Sequence, residues 1–163
     1  MAVAAITVFL PASSASANWT VHTLYTYEAG KCLEIADWRT DDGAPARQWT
    51  CKDRHANQTW IFSYVGNAAD GVVTLRNGHS GKCLEIADWS MNNGAPARQW
   101  QCTGGENQQF YMWPNPNGYG YAFLPRHSDK CLEVADWSHA DGAPVRQWTC
   151  GPGPQGNQHW LTR

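Results

Sequence analysis

One block of 20 residues, written three times, limits this chain more than any other feature. It opens as Cys32-Leu33-Glu34-Ile35-Ala36-Asp37-Trp38, Cys83-Leu84-Glu85-Ile86-Ala87-Asp88-Trp89 and Cys131-Leu132-Glu133-Val134-Ala135-Asp136-Trp137. It passes through Gly-Ala-Pro and closes on Arg-Gln-Trp-x-Cys, with 13 of the 20 positions identical in all copies. A few residues on come Asn57-Gln58, Asn107-Gln108 and Asn157-Gln158, each followed two residues later by an aromatic (Trp60, Phe110, Trp160). Self-similarity at a fixed period marks a repeat architecture.

Six cysteines allow 15 pairings, and the repeat selects one. Each copy holds two cysteines 19 positions apart, giving Cys32–Cys51, Cys83–Cys102 and Cys131–Cys150. No C-x-x-C or paired histidine recurs, so neither a metal site nor a cofactor is expected. Each unit reads as four short strands between turn residues. In the first these are Thr20–Tyr27, Lys31–Ile35, Ala46–Thr50 and Thr59–Tyr64. The second starts at Val72–Arg76 and the third at Tyr119–Leu124. No segment has a helical period. Propellers need about four blades to close, so three units (about 20–67, 68–117 and 118–163) predict an all-β, threefold β-trefoil.

Strand side chains alternate between faces. Leu33 and Ile35 then point to the core, while Glu34, Arg47 and Trp49 gather on the other face beside the disulfide. The same holds for Glu85, Arg98, Trp100 and for Glu133, Arg146, Trp148. Two readings fit such a set. A carboxylate and a guanidinium can bond hydroxyls while an indole takes the apolar face of a pyranose. Equally, Glu34 and Arg47 can pair internally, with Trp49 covering the disulfide. Trp60, Phe110 and Trp160 read as core, and Gly43, Gly94 and Gly142 as turn glycines. The six histidines (22, 55, 79, 127, 139, 159) read as scattered surface residues in non-equivalent places.

Charge narrows the function classes. Twelve Lys+Arg face 14 Asp+Glu, and only 16% of residues are charged, against about 25% in ordinary domains. A nucleic-acid binder would show a basic face, and no apolar run approaches the ~20 residues of a membrane span. Neither partner is expected. With no recurring Ser/His/Asp set and no GxSxG, the chain does not read as an enzyme. Residues 1–11 are apolar and a small-residue stretch ends in Ala15-Ser16-Ala17, which predicts a secretory leader cleaved after Ala17. The even cysteine count agrees with export to the extracellular space.

The pattern Cys-Leu-Glu, Gly, Gln-Trp-x-Cys, Asn-Gln-x-Trp resembles the ricin-type β-trefoil lectins, also known as family 13 carbohydrate-binding modules, over nearly all of residues 20–163. The resemblance implies three pseudo-equivalent pockets for galactose-like or xylose-like sugars. It places the family's carboxylate on Glu34, Glu85 and Glu133 and its stacking aromatic on Trp49, Trp100 and Trp148. A polar partner falls on Arg47, Arg98 and Arg146, and a sugar-contacting amide on Asn57, Asn107 and Asn157. The chain departs from the family in having Glu for Asp, which adds a methylene. It also has Trp38, Trp89 and Trp137 where glycine is common, either a second stacking wall or a plug. The leading expectation is a secreted lectin for glycans or polysaccharide. The alternative is a protein-binding β-trefoil, an inhibitor or a subunit of a secreted assembly such as a toxin. There the loops Trp113-Pro114-Asn115-Pro116-Asn117-Gly118 and Gly151-Pro152-Gly153-Pro154, which break the threefold pattern, would meet a protein partner.

Overall fold

A computed structural model of the chain describes residues 19–116, 120–152 and 156–163. The expected leader lies outside them, as do Tyr119 and parts of both symmetry-breaking loops. The described strands are β1 (Trp19–Thr26), β2 (Cys32–Ile35), β3 (Ala46–Trp49), β4 (Thr59–Tyr64), β5 (Val72–Asn77) and β6 (Cys83–Ile86). They continue as β7 (Ala97–Trp100), β8 (Gln109–Pro114), β9 (Tyr121–Pro125), β10 (Cys131–Val134), β11 (Val145–Trp148) and β12 (Trp160–Thr162). Between them stand only single 3-10 turns, with no α-helix among the described residues.

Six strands form a closed ring. β1 pairs with β4, β4 with β5, β5 with β8, β8 with β9, β9 with β12, and β12 returns to β1. All pairings are antiparallel, so this barrel leaves no free edge. The hairpins β2–β3, β6–β7 and β10–β11 cap it in identical register, with Glu34 opposite Arg47, Glu85 opposite Arg98 and Glu133 opposite Arg146. Single bridges join the hairpins head to tail: Pro45 to Arg98, Pro96 to Arg146, Pro144 to Arg47. The result is the β-trefoil that the repeats predict, with a disulfide in each unit: Cys32–Cys51, Cys83–Cys102 and Cys131–Cys150.

The core follows from the alternation. Leu33, Ile35, Leu84, Ile86, Leu132 and Val134 lie on the inward faces of the hairpins and are buried. They meet Trp60, Phe110, Trp160 and the barrel residues Leu24, Phe62, Val73, Leu75 and Phe123. Buried indole N–H groups need acceptors. Trp60 donates to the Leu33 carbonyl and Trp160 to that of Leu132, both at 3.0 Å. Gly43, Gly94 and Gly142 sit at φ of +84°, +84° and +86°, where a side chain is strained. Each lies beneath a tryptophan of a neighbouring unit: Gly43 under Trp100, Gly94 under Trp148, Gly142 under Trp49.

The histidines do not conform to a scattered surface set. His159 is 5% exposed and stacked on Tyr27. His79 and His127 are equivalent, each four residues before the first cysteine of its unit. They pack against Trp38 and Trp89 of the preceding unit.

Candidate functional site

The second strand of each unit ends in a turn that contradicts ordinary backbone preference. Asp37 and Trp38 both take positive φ, at 55° and 56°. Asp88 and Trp89 repeat this at 56° and 53°, as do Asp136 and Trp137. Aspartate visits this region fairly readily, but a bulky tryptophan does not, and each such residue costs roughly 1–2 kcal/mol. The consequence is directional. Both side chains swing out of the strand plane into solvent, leaving Trp38, Trp89 and Trp137 about half exposed at 45%, 53% and 49%.

Behind this turn lies a charge network common to all units. The Glu34 carboxylate is buried and fully engaged. It accepts Arg47 Nε at 2.9 Å, Gln58 Nε2 at 2.9 Å and Asn57 Nδ2 at 3.3 Å. Glu85 accepts Arg98, Gln108 and Asn107 at 2.9, 3.0 and 3.3 Å. Glu133 accepts Arg146, Gln158 and Asn157 at 2.9, 2.9 and 3.3 Å. Each guanidinium then reaches forward to the aspartate of the turn: Arg47 to Asp37 at 2.9 Å, Arg98 to Asp88 at 2.9 Å, Arg146 to Asp136 at 3.0 Å. Burial disfavours the charge on Arg98 and Arg146. Their bonds to Glu85 with Asp88, and to Glu133 with Asp136, more than offset it and hold both above the ordinary arginine range.

The geometry reshapes the expected site. Glu34 and Arg47 do pair, and the guanidinium lies 4.3 Å from the centre of the Trp49 ring, over one face. Arg98 and Arg146 cover Trp100 and Trp148 at 4.5 Å. The carboxylates facing solvent are instead Asp37, Asp88 and Asp136, with side chains 70%, 81% and 81% exposed. One oxygen of each bonds arginine, and the other has no partner among the described residues. The amide oxygens of Asn57 and Asn107 are likewise buried without a partner among those residues. Asp37, Trp38, Arg47, Trp49 and Asn57 line one concavity of about 200 Å³. Asp136, Trp137, Arg146, Trp148 and Asn157 line another of about 370 Å³. All fifteen residues expected from the sequence thus cluster in three sites; the aspartates were not among them.

The sites differ in one loop, between the second cysteine and the Asn-Gln pair. It holds five residues in the first unit (Lys52 to Ala56), four in the second (Thr103 to Glu106) and six in the third (Gly151 to Gly156). Lys52 and His55 line the first concavity, and Gly151 and Pro152 line the third. His55 also packs on Trp38 at 5.2 Å, opposite in sequence to His79 at 5.0 Å. No group of three or more His, Cys, Asp or Glu among the described residues is arranged to hold a metal.

Three disulfide-bonded units around a closed barrel, each presenting an Arg–Asp–Trp surface, define a lectin-type β-trefoil. The ricin-type β-trefoil lectin domain-like profile matches residues 8–100 and again 56–148, and the chain belongs to that family. A designed threefold-symmetric protein, ThreeFoil, matches with a TM-score of 0.80 and 34% identity, over 87% of this chain and 96% of that one. An exo-β-1,3-galactanase from Clostridium thermocellum matches with a TM-score of 0.79 and 30% identity, over 94% of this chain and 31% of its own. The clotting factor G alpha subunit of Tachypleus tridentatus is 35% identical over 71 residues, 43% of this chain. The present chain accounts for 10% of that relative's length.

Proposed function

We propose that this protein is an extracellular carbohydrate-binding module with three pseudo-equivalent sites for neutral, galactose-like or xylose-like pyranoses. In each, the free oxygen of Asp37, Asp88 or Asp136 accepts sugar hydroxyls and the spare guanidinium N–H donates to them. Trp38, Trp89 or Trp137 supplies the apolar face. Glu34, Glu85 and Glu133 act one step back, fixing the arginine and the Asn-Gln pair. The observation that carries this reading is the strained Asp-Trp turn, kept in all three copies although neither side chain serves the core. Galactose-containing glycans come first, because a relative at 30% identity is a galactanase. The clotting factor likeness favours a second reading, a module that serves a larger secreted assembly.

The test is a glycan array followed by isothermal titration of the full chain and two folded triple variants. Asp37→Asn/Asp88→Asn/Asp136→Asn keeps one oxygen for arginine but removes the charge offered to the ligand. A hydrogen bond to a charged group is worth about 2 kcal/mol, so affinity should fall roughly 30-fold with melting temperature little changed. Glu34→Gln/Glu85→Gln/Glu133→Gln should chiefly lower stability, since it breaks three buried pairs. Silence across the array, or undiminished binding by the folded aspartate variant, would overturn the reading.

A further inference from the structure

The third unit carries a concavity whose apolar lining the threefold pattern does not demand: its counterpart beside Cys83–Cys102, of about 670 Å³, is lined by Ser63, Thr74 and Arg76. A cleft of about 240 Å³ opens beside its disulfide, lined by Trp113, Pro114, Pro116, Ala122, Leu124 and the Cys131–Cys150 bridge. The corresponding positions at the seam of the first and second units are polar. Trp113 pairs across its hairpin with Ala122, and Tyr111 with Leu124. In the earlier hairpin Ser63 pairs with Thr74 and Ile61 with Arg76. The fold therefore accepts Ser, Thr and Arg at one seam where the next has Trp, Ala and Leu. The Trp113 indole is 59% exposed and borders the cleft with Pro114 and Pro116.

The cleft adjoins the third candidate site. Gly151 and Gln158 line both concavities and form their common wall. That wall is tied to the site's own network. The Gln158 amide donates to Glu133 at 2.9 Å and accepts from the Gly151 N–H at 3.0 Å. The volume is below the 300–1,000 Å³ of drug-sized pockets and suits a single ring. Its apolar side is flat indole and proline, and polar groups stand at one end, where Asn115 bonds the His159 ring at 3.1 Å. A pyranose, with an apolar face and a hydroxyl rim, matches that division.

Resting on the lectin reading above, we infer that the third site is extended: it takes an oligosaccharide, one sugar at Trp137 and Asp136 and the next stacked on Trp113. The first two sites take single terminal sugars.

Titration of the full chain with galactose and with β-1,3-galactotriose, and with xylose and xylotriose, tests this. One site in three should bind the better trisaccharide about tenfold more tightly than its monosaccharide, while two show no gain. Trp113→Ser, which borrows the residue of Ser63, should remove that gain and leave monosaccharide affinity unchanged. Ala122→Thr, borrowing Thr74, should reduce it in the same direction. An equal gain at all three sites, or a gain that survives Trp113→Ser, overturns the extended site while leaving the lectin reading intact. A p-nitrophenyl monoglycoside that gains as much as the trisaccharide overturns it too, since the cleft would then hold an apolar aglycone. Failure of every sugar, here and on the array, removes both readings together.

Discussion

Replacing Ala29 by serine should make the protein more stable, and the protein's own symmetry sets the size of the gain. Each hairpin buries a glutamine whose amide donates twice to carbonyls of a neighbouring unit: Gln48 to Ser138 and Ala140, Gln99 to Arg39 and Asp41, Gln147 to Ser90 and Asn92. The amide oxygens differ. Gln99 accepts the Ser80 hydroxyl at 2.6 Å and Gln147 that of Ser128 at 2.7 Å. Gln48 finds no partner among the described residues, because Ala29 stands where the other units have serine. The backbone needs no change, since Gly30, Gly81 and Asp129 all follow with positive φ and bond back four residues alike. A new hydrogen bond contributes about 1 kcal/mol net, and satisfying a buried acceptor adds up to about another. Ala29→Ser should therefore gain about 1–2 kcal/mol, some 3–6 °C in thermal midpoint for a chain of this size. Ser80→Ala and Ser128→Ala should each lose as much. Thermal and urea unfolding with disulfides intact measures all three. A neutral Ala29→Ser beside costly Ser80→Ala and Ser128→Ala would refute the equivalence on which the reasoning stands.

Three further outcomes follow from neighbouring details. A Cβ on Gly105 would come within 2.7 Å of both the Trp89 ring and the Asn107 amide oxygen, so Gly105→Ala should displace that indole and reduce titrated sites from three to two. Lys31 pairs with Asp141 and Lys82 with Asp42, both at 2.7 Å, whereas Asn93 occupies the third such place and bonds Thr149. Asn93→Asp should add about 0.5 kcal/mol, screened by salt, as read from denaturation at low and high ionic strength. The hydrogen bond from Lys31, aided by Thr50, holds the Asp141 carboxyl below the usual aspartate range. A depressed folded-state value means stability that is present above the unfolded one, near pH 4, and lost as pH falls through the folded one. Acid titration of stability should show that loss, and Lys31→Met should diminish it.

The hairpins were legible because two constraints agree. Cysteines 19 apart fix both ends of each hairpin, and Leu33 with Ile35 fixes which face turns inward. That is enough to place Glu34 opposite Arg47. Period-two reasoning stops at Ile35, however, where the chain leaves the strand. Nothing about a tryptophan announces a positive φ, so the exposure of Trp38 and the role open to Asp37 were hidden. The only available signal was that Asp37 and Trp38 recur unchanged in a stretch whose next four residues vary. The equivalence of His79 and His127 was within reach by counting back from the cysteines. The burial of His159 was not, because it depends on Tyr27 arriving from the other end of the chain.

The closed ring of barrel strands has a consequence for what could have preceded it. The strands of the first unit meet the last strand of the third through β1 and β12, and the first strand of the second through β4 and β5. A unit cut free would expose both of these edges, together with the inward face of its hairpin. The three seams share a buried aromatic at the same inward position, Trp60, Phe110 and Trp160, although their outward residues differ, so a lone unit carries the inward complement of its own edges. Its way of satisfying them is to gather two more copies of itself. A fragment spanning one repeat should accordingly be soluble only as a ring of three chains, and the single polypeptide reads as such a trimer whose subunits have been joined end to end.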